Sequence, residues 1–291
     1  MRKTSILEQL AADYPQLYLN PDIDTQEAYR RVVLRGEEPE AKSLAHYRGD
    51  PADREEVMET PAGSVRVVTL GNRRDFELAL RGLMAAKDGP EAVIPESQGA
   101  AMLTVFNWPR IHAHLALYPE EERAAEFKRF TTVRENYVDM LVVLSRGPYS
   151  HVDAAAVGET EAAWLEHSDT IRRYHELTHV ICRRQYPGDV APIRDELVAD
   201  AVGLYAAYGR FDPMLERRFL GIDDDGRYTG GRLGNYTDTP EALVGAVCAA
   251  LERIRAVVED NSAAEPFALI GTLMSAADLE DRKELAKERQ A

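Results

Sequence analysis

Five residues, His175-Glu176-Leu177-Thr178-His179, state a chemistry more directly than any other stretch of the chain. They read HExxH inside an apolar, helix-compatible run. On a helix, residues four apart lie nearly above one another, so both imidazoles can reach one ion. Glu176 is rotated about 100° from His175 and can approach a water molecule at that ion.

A zinc site with two histidines needs at least one more protein ligand, and a carboxylate is a common third. The segment Asp195-Glu196-Leu197-Val198-Ala199-Asp200-Ala201-Val202-Gly203 supplies it. Glu196 lies far enough beyond His179 for a turn and a returning helix. Asp200, four residues on, shares its face and can accept the outer N–H of a ligating histidine, fixing the tautomer and the ring orientation. Gly203 continues that face, where a missing side chain lets two helices approach closely. Asp195 is the rival third ligand, but only Glu196 has Asp200 and Gly203 on its own stripe. A metzincin is excluded, since HExxHxxGxxH needs Gly and His where this chain has Cys182 and Gln185.

HELTH followed by a Glu-x-x-x-Asp-x-x-Gly helix resembles the gluzincin metallopeptidases, specifically their thermolysin-like branch. The resemblance covers residues 175–203 and implies a zincin-like catalytic core built on an HExxH helix. It implies Zn²⁺ bound by His175, His179 and Glu196, with Glu176 as general base and Asp200 behind a histidine. The reaction expected is metal-assisted hydrolysis, in which zinc lowers the pKa of water from about 15.7 toward 7 and polarises the scissile carbonyl. A neighbouring donor should stabilise the developing oxyanion, a contribution of a few kcal/mol. Tyr149, His151, Tyr228 and Tyr236 are the candidates, because they lie in glycine-containing loops able to fold over a metal. Gluzincins also pair an extended substrate with an edge strand upstream of the active helix, and Leu144-Ser145-Arg146-Gly147 stand at a compatible interval.

The elements that must position these groups follow from periodicity. Residues up to Asp50 read as helices broken at Pro15, Pro21 and Pro39. Ser64–Leu70 alternates and is β-branched, a strand; a helix follows over Arg74–Ala86, and 87–90 is a loop and soft boundary. Gly99–Phe106 suits a strand or a buried helix, with strand preferred; 110–118 and 120–130 read as helices, and Val138–Leu144 as the strongest strand of the chain. Gly158–Tyr186 reads mostly as helix, with a break suggested at Ser168-Asp169, either of which can cap a helix. Pro187-Gly188 ends it, and Pro192 opens the ligand helix, which runs to Tyr208. Residues 221–240 hold five glycines and read as a long loop. Helices are expected again over 241–258 and 266–275. The expected fold is α+β, mainly helical, with a small mixed or antiparallel sheet. Residues 1–90 form an N-terminal helical region with one strand-helix unit, and 91–291 the metallohydrolase domain, unless the two make one domain.

Composition bounds the function. The 291 residues carry a formal charge of −15, with 35 Lys and Arg against 50 Asp and Glu, so no excess of cations exists to displace counterions from nucleic acid. No run of apolar residues is long enough to span a membrane. Glu8 and Asp13 interrupt any signal-like stretch at the start. Two cysteines are too few for a disulfide framework, which makes a reducing, cytoplasmic setting the expectation. The sequence therefore predicts a cytoplasmic zinc metallopeptidase acting on a peptide or small amide substrate, with neither nucleic acid nor membrane as partner. The alternatives are a zinc hydrolase of a small amide metabolite and a non-catalytic, metal-stabilised binding or regulatory protein. Glu176 argues against the last, since a purely structural zinc site has no use for a general base.

Overall fold

The computed structural model describes residues 5–40, 42–88, 93–96, 98–188 and 192–279. The chain is mainly helical with one small mixed sheet, and it divides into two compact units. The first comprises residues 1–58 and 65–146; the second comprises 59–64 and 147–291.

In the first unit, helix α1 (Ile6–Asp13) starts at a capping box in which the Ser5 hydroxyl accepts from the Glu8 amide and the Glu8 carboxylate accepts from the Ser5 amide. Helix α2 (Gln26–Tyr29) runs on into a π turn at Arg30–Leu34. Strands β1 (Arg54–Thr60) and β2 (Gly63–Leu70) are followed by α3 (Arg73–Asp88), β3 (Ala100–Phe106), α4 (Trp108–Leu115), α5 (Glu120–Phe130) and β4 (Val138–Ser145). The strand order is β1-β2-β4-β3. β2 runs parallel to β4 with Val67 opposite Val142, and β3 runs antiparallel to it with Met102 opposite the same residue. β4 is thus flanked on both sides, and its apolar run Leu141–Leu144 is fully buried, as an interior strand requires.

That position corrects one expectation. A strand paired on both sides has no free backbone groups for a substrate, so Leu144–Gly147 do not offer the edge predicted for peptide pairing. The two compact units divide at Arg146/Gly147. β4 pairs with β2 and β3 with β4, and this non-local pairing ties residues 100–145 to the chain before them; of the loop expected at 87–90, residues 87 and 88 belong to α3 and the other two lie outside the described residues. Three elements, β1 and two short helices of the second unit, α6 (Ala154–Val157) and α9 (Pro213–Leu220), were not foreseen. β1 reads REEVMET, a charged sequence suited to an exposed edge and lacking apolar alternation.

The second unit contains α6 (Ala154–Val157), α7 (Glu161–Gln185), α8 (Pro192–Tyr208), α9 (Pro213–Leu220), α10 (Pro240–Asp260) and α11 (Ile270–Ala276). α7 starts at Thr160, whose hydroxyl accepts from the Ala163 amide, and it runs unbroken through Ser168 and Asp169. Neither side chain caps a helix there. Ser168 Oγ accepts from the Tyr149 amide, and Asp169 pairs with Arg173 one turn on. α8 is buried on every side from Leu197 to Tyr205, the mark of a central helix. The hairpin tip between β1 and β2 groups with this unit: Arg184 donates to the Ala62 carbonyl, and Gln185 to that of Pro61 at 3.0 Å. Among the described residues, no helix is long and apolar enough to cross a membrane.

α7 and α8 meet at Gly203, where a Cβ would lie 2.7 Å from the carbonyl oxygen of Ile171. This is the close approach expected from the sequence. Gly203→Ala gains helix propensity of about 1 kcal/mol but forces the helices apart, so a net destabilisation of about 1–3 kcal/mol is expected in denaturant unfolding. Unchanged stability would show that the helices can separate at no cost.

Candidate metal centre

α7 and α8 bring His175, His179 and Glu196 together, with one ligand atom from each lying within 4.8 Å of the others. The two Nε2 atoms are 3.0 Å apart, and each stands 3.5 Å from an oxygen of Glu196. Ligand atoms held about 2.0–2.2 Å from one tetrahedral zinc ion would be about 3.3–3.6 Å apart, close to this triangle.

The outer nitrogens explain why the inner ones converge. His175 Nδ1 is 2.7 Å from Asp200 Oδ1 and 3.0 Å from the Tyr149 hydroxyl, which itself donates to Oδ1 at 2.5 Å. His179 Nδ1 is 2.7 Å from Asp195 Oδ2. A carboxylate can only accept, so each Nδ1 carries a proton and each Nε2 is the nitrogen left facing the cluster. Two ring nitrogens and a carboxylate facing one point could hold a cation between them. The donor set, two imidazoles and one carboxylate, suits zinc. Charge points the same way, since Glu176, Asp195, Glu196 and Asp200 surround the site and Arg232 is the cation placed among them.

Arg232 and Tyr236 reach the site from the glycine-rich loop. Gly221 ends α9 with φ near +80°, and a Cβ on Gly231 would fall 2.6 Å from Gly221 Cα, so the loop closes on itself there. The Thr229 amide donates to the Gly221 carbonyl at 2.8 Å, and the Tyr228 hydroxyl donates to the Gly231 carbonyl at 2.9 Å. A 3₁₀ turn over Arg232–Asn235 then sends Arg232 inward, to Asp200, to the Tyr149 hydroxyl at 3.1 Å and to Ser150 Oγ at 2.8 Å. Tyr236 donates to Glu196 Oε2 at 2.8 Å. Ser150 and His151 both have positive φ, 50° and 57°, an uncommon backbone state that turns the chain sharply after Tyr149.

The four candidate oxyanion donors therefore separate. Tyr149 is buried behind His175, with its hydroxyl committed to Asp200. His151 is exposed, and Tyr228 closes its own loop. The Tyr236 hydroxyl touches the carboxylate of the ligand cluster. Glu176 is half-buried, near enough for its charge to act on His179, and forms no hydrogen bond with another described residue. Asp195, the rival ligand, backs His179 instead. Arg232 and Glu216 had no sequence signal, because both arrive from distant segments; Glu216, on α9, is completely buried beside Asp200.

The titration behaviour follows from these contacts. Burial disfavours a charged Asp200, but Arg232 and His175 outweigh it and hold the carboxyl well below the usual range. Burial raises Tyr149 and Tyr236 far above an ordinary phenol, so both stay neutral donors. Burial also pushes the Cys182 thiol, beside Asp195, up to about 12.

The fold and the cluster together define an α+β protein with a His-His-Glu centre on two packed helices. Residues 2–267 match the model of a family of unknown function (DUF7005), and the chain belongs to that family. Comparison with curated proteins and with solved structures gives no match.

Burial opposes a charge on His179, but its hydrogen bond to Asp195 and the charges of Glu196 and Glu176 raise it to about 9 without a metal. This lies above the ordinary value near 6.5, so the charged ring stabilises the metal-free fold fully below about pH 6.5, a contribution lost as pH rises through about 9. A metal must displace that proton. Apparent metal affinity should rise about tenfold per pH unit between about pH 7 and 9, with about one proton released, measurable by calorimetry in buffers of different ionisation enthalpy. A flat profile would mean that His179 is already neutral.

Proposed function

We propose that this protein is a zinc-dependent hydrolase of gluzincin type, and that its substrate bond is an amide, most simply a peptide bond. The observation that carries the reading is the convergence of His175 Nε2, His179 Nε2 and Glu196, each ring backed by a carboxylate, beside a Glu176 carboxylate with no hydrogen-bond partner among the described residues.

Zinc, when bound, would supply Lewis acidity, lowering the pKa of water toward about 7 and polarising the substrate carbonyl. Glu176 takes the proton from the attacking water and delivers it to the leaving nitrogen. With no hydrogen-bond partner among the described residues, its carboxylate is free to turn toward that water. Asp200 and Asp195 hold the two rings in the tautomer that turns Nε2 inward. Tyr236 stands at Glu196 as a neutral donor, and its hydroxyl is the group best placed to turn toward a developing oxyanion. Arg232 neutralises Asp200 and stays charged throughout.

A small amide metabolite is the second reading, and the interior position of β4 favours it, since that strand cannot hold an extended peptide. A cytoplasmic setting fits the two free cysteines, Cys182 and Cys248.

Metal analysis of protein purified without chelator is the first test, with zinc near one per chain expected and a metal-free, metal-refusing protein sinking the proposal. Glu176→Gln should lower turnover by about 10²–10⁴-fold with zinc content unchanged. Glu196→Ala should strip the metal; retention there with loss in Asp195→Ala would move the third ligand. Tyr236→Phe should lower kcat by about 10²-fold at constant zinc content. Digestion of a peptide library, set beside a panel of small amides, separates the two substrate classes.

A further inference from the structure

Glu216 is the one glutamate with no solvent exposure among the described residues. It sits in the first turn of α9, which Asp212 caps by accepting from the amides of Met214 and Leu215. Neither of its carboxyl oxygens has a hydrogen-bond donor among the described groups. A carboxylate sealed from water without a donor is far less stable than the neutral acid, so the group takes up a proton. The charges facing it agree on balance. Asp200 and Glu196, both from α8, repel a second negative charge; Arg232 attracts one but directs its N–H groups to Asp200, Tyr149, Ser150 and Glu196. The neutral Tyr149 hydroxyl is also turned to Asp200.

The carboxyl of Glu216 meets that of Asp200. Two carboxyl groups in contact must share a proton, because neither can donate when ionised. Arg232, His175 and Tyr149 all bond to Asp200 as an anion, which leaves the proton to the other partner. We propose that Glu216 is a protonated carboxylic acid that donates a hydrogen bond to Asp200 and so serves as a positioning residue for the His175 imidazole. The proton remains on Glu216 throughout. Its hydrogen bond helps fix the plane of the Asp200 carboxylate, keeping Oδ1 aimed at Nδ1 of His175 and the opposite nitrogen turned into the His-His-Glu cluster, where it would hold a metal. Its neutrality avoids adding a further negative charge to the site. The protonated pair stands on burial and donor inventory; the positioning role rests on the zinc reading above.

Carbon-13 NMR of the wild-type protein, labelled at glutamate side-chain carboxyls, tests the protonation without any variant. One glutamate should stay protonated across the range where ordinary glutamates are ionised, about pH 6 to 9, and its signal should be missing from Glu216→Gln. Ionisation of every glutamate by about pH 6 would overturn the proposal. Zinc affinity, measured by chelator competition, tests the positioning role. Glu216→Gln keeps a neutral donor and should bind within about twofold of wild type, whereas Glu216→Leu should lose about tenfold, the lower end for an outer-shell partner. Equal affinity in all three proteins would overturn the role. A wild-type chain that binds no zinc would sink the hydrolase reading and the positioning role with it, while the NMR titration still decides the protonated pair. Normal titration of every glutamate in a zinc-binding protein would sink the pair alone.

Discussion

Asp200 is a fully buried anion, and much of the second unit is arranged around keeping it so. An isolated carboxylate in such a place would neutralise itself, because the desolvation penalty amounts to several kcal/mol. Here it is met by the guanidinium of Arg232, the ring N–H of His175 and the hydroxyl of Tyr149. Each of these groups comes from a different segment. The anion on α8 therefore acts as a point at which α7, the turn at Tyr149 and the glycine-rich loop must agree in position before any one of them is satisfied.

This requirement gives the surrounding features a common cause. Gly203 lets α8 come close enough to α7 for the carboxylate to reach the imidazole. The closure at Gly221 and Gly231 turns the loop back so that Arg232 points inward and Tyr236 follows one turn later. The left-handed backbone at Ser150 and His151 redirects the chain just after Tyr149, and Ser150 then accepts from the same arginine. Positive φ at two consecutive non-glycine residues costs energy, and such strain persists only where surrounding contacts over-determine it. Arg232, held on several sides, provides those contacts.

The sequence made the helical half of this arrangement legible. HELTH and Glu196-Asp200-Gly203 are spaced by the helix repeat itself, so their shared faces follow from local geometry once the segments are helical. Strands β2 and β4 were legible from β-branched runs for a similar reason, whereas the apolar run of β3 suits a strand or a buried helix alike. What failed to show was everything joined across sequence distance. β1 escaped because edge strands carry charge, and the division at residue 146 because strand pairing, rather than composition, sets it. Arg232 looked no different from Arg227 in the same loop, and α9, with Glu216 on it, offered no motif. The Asp195 carboxylate was weighed as a ligand, and only the fold reveals that it supports a ring instead.

The second unit is not one continuous stretch of chain. Its helix bearing both histidines ends at Arg184 and Gln185, whose side chains are received by carbonyls of Pro61 and Ala62, residues that arrive with the β1–β2 hairpin. A fragment beginning at Gly147 would contain every residue of the cluster yet lack this receptor for the helix end. During synthesis, residues 61 and 62 are made before residues 184 and 185, so the last turn beyond His179 is held by a segment already made when the helix appears. The His-His-Glu cluster is thus local in its residues and distant in its anchorage.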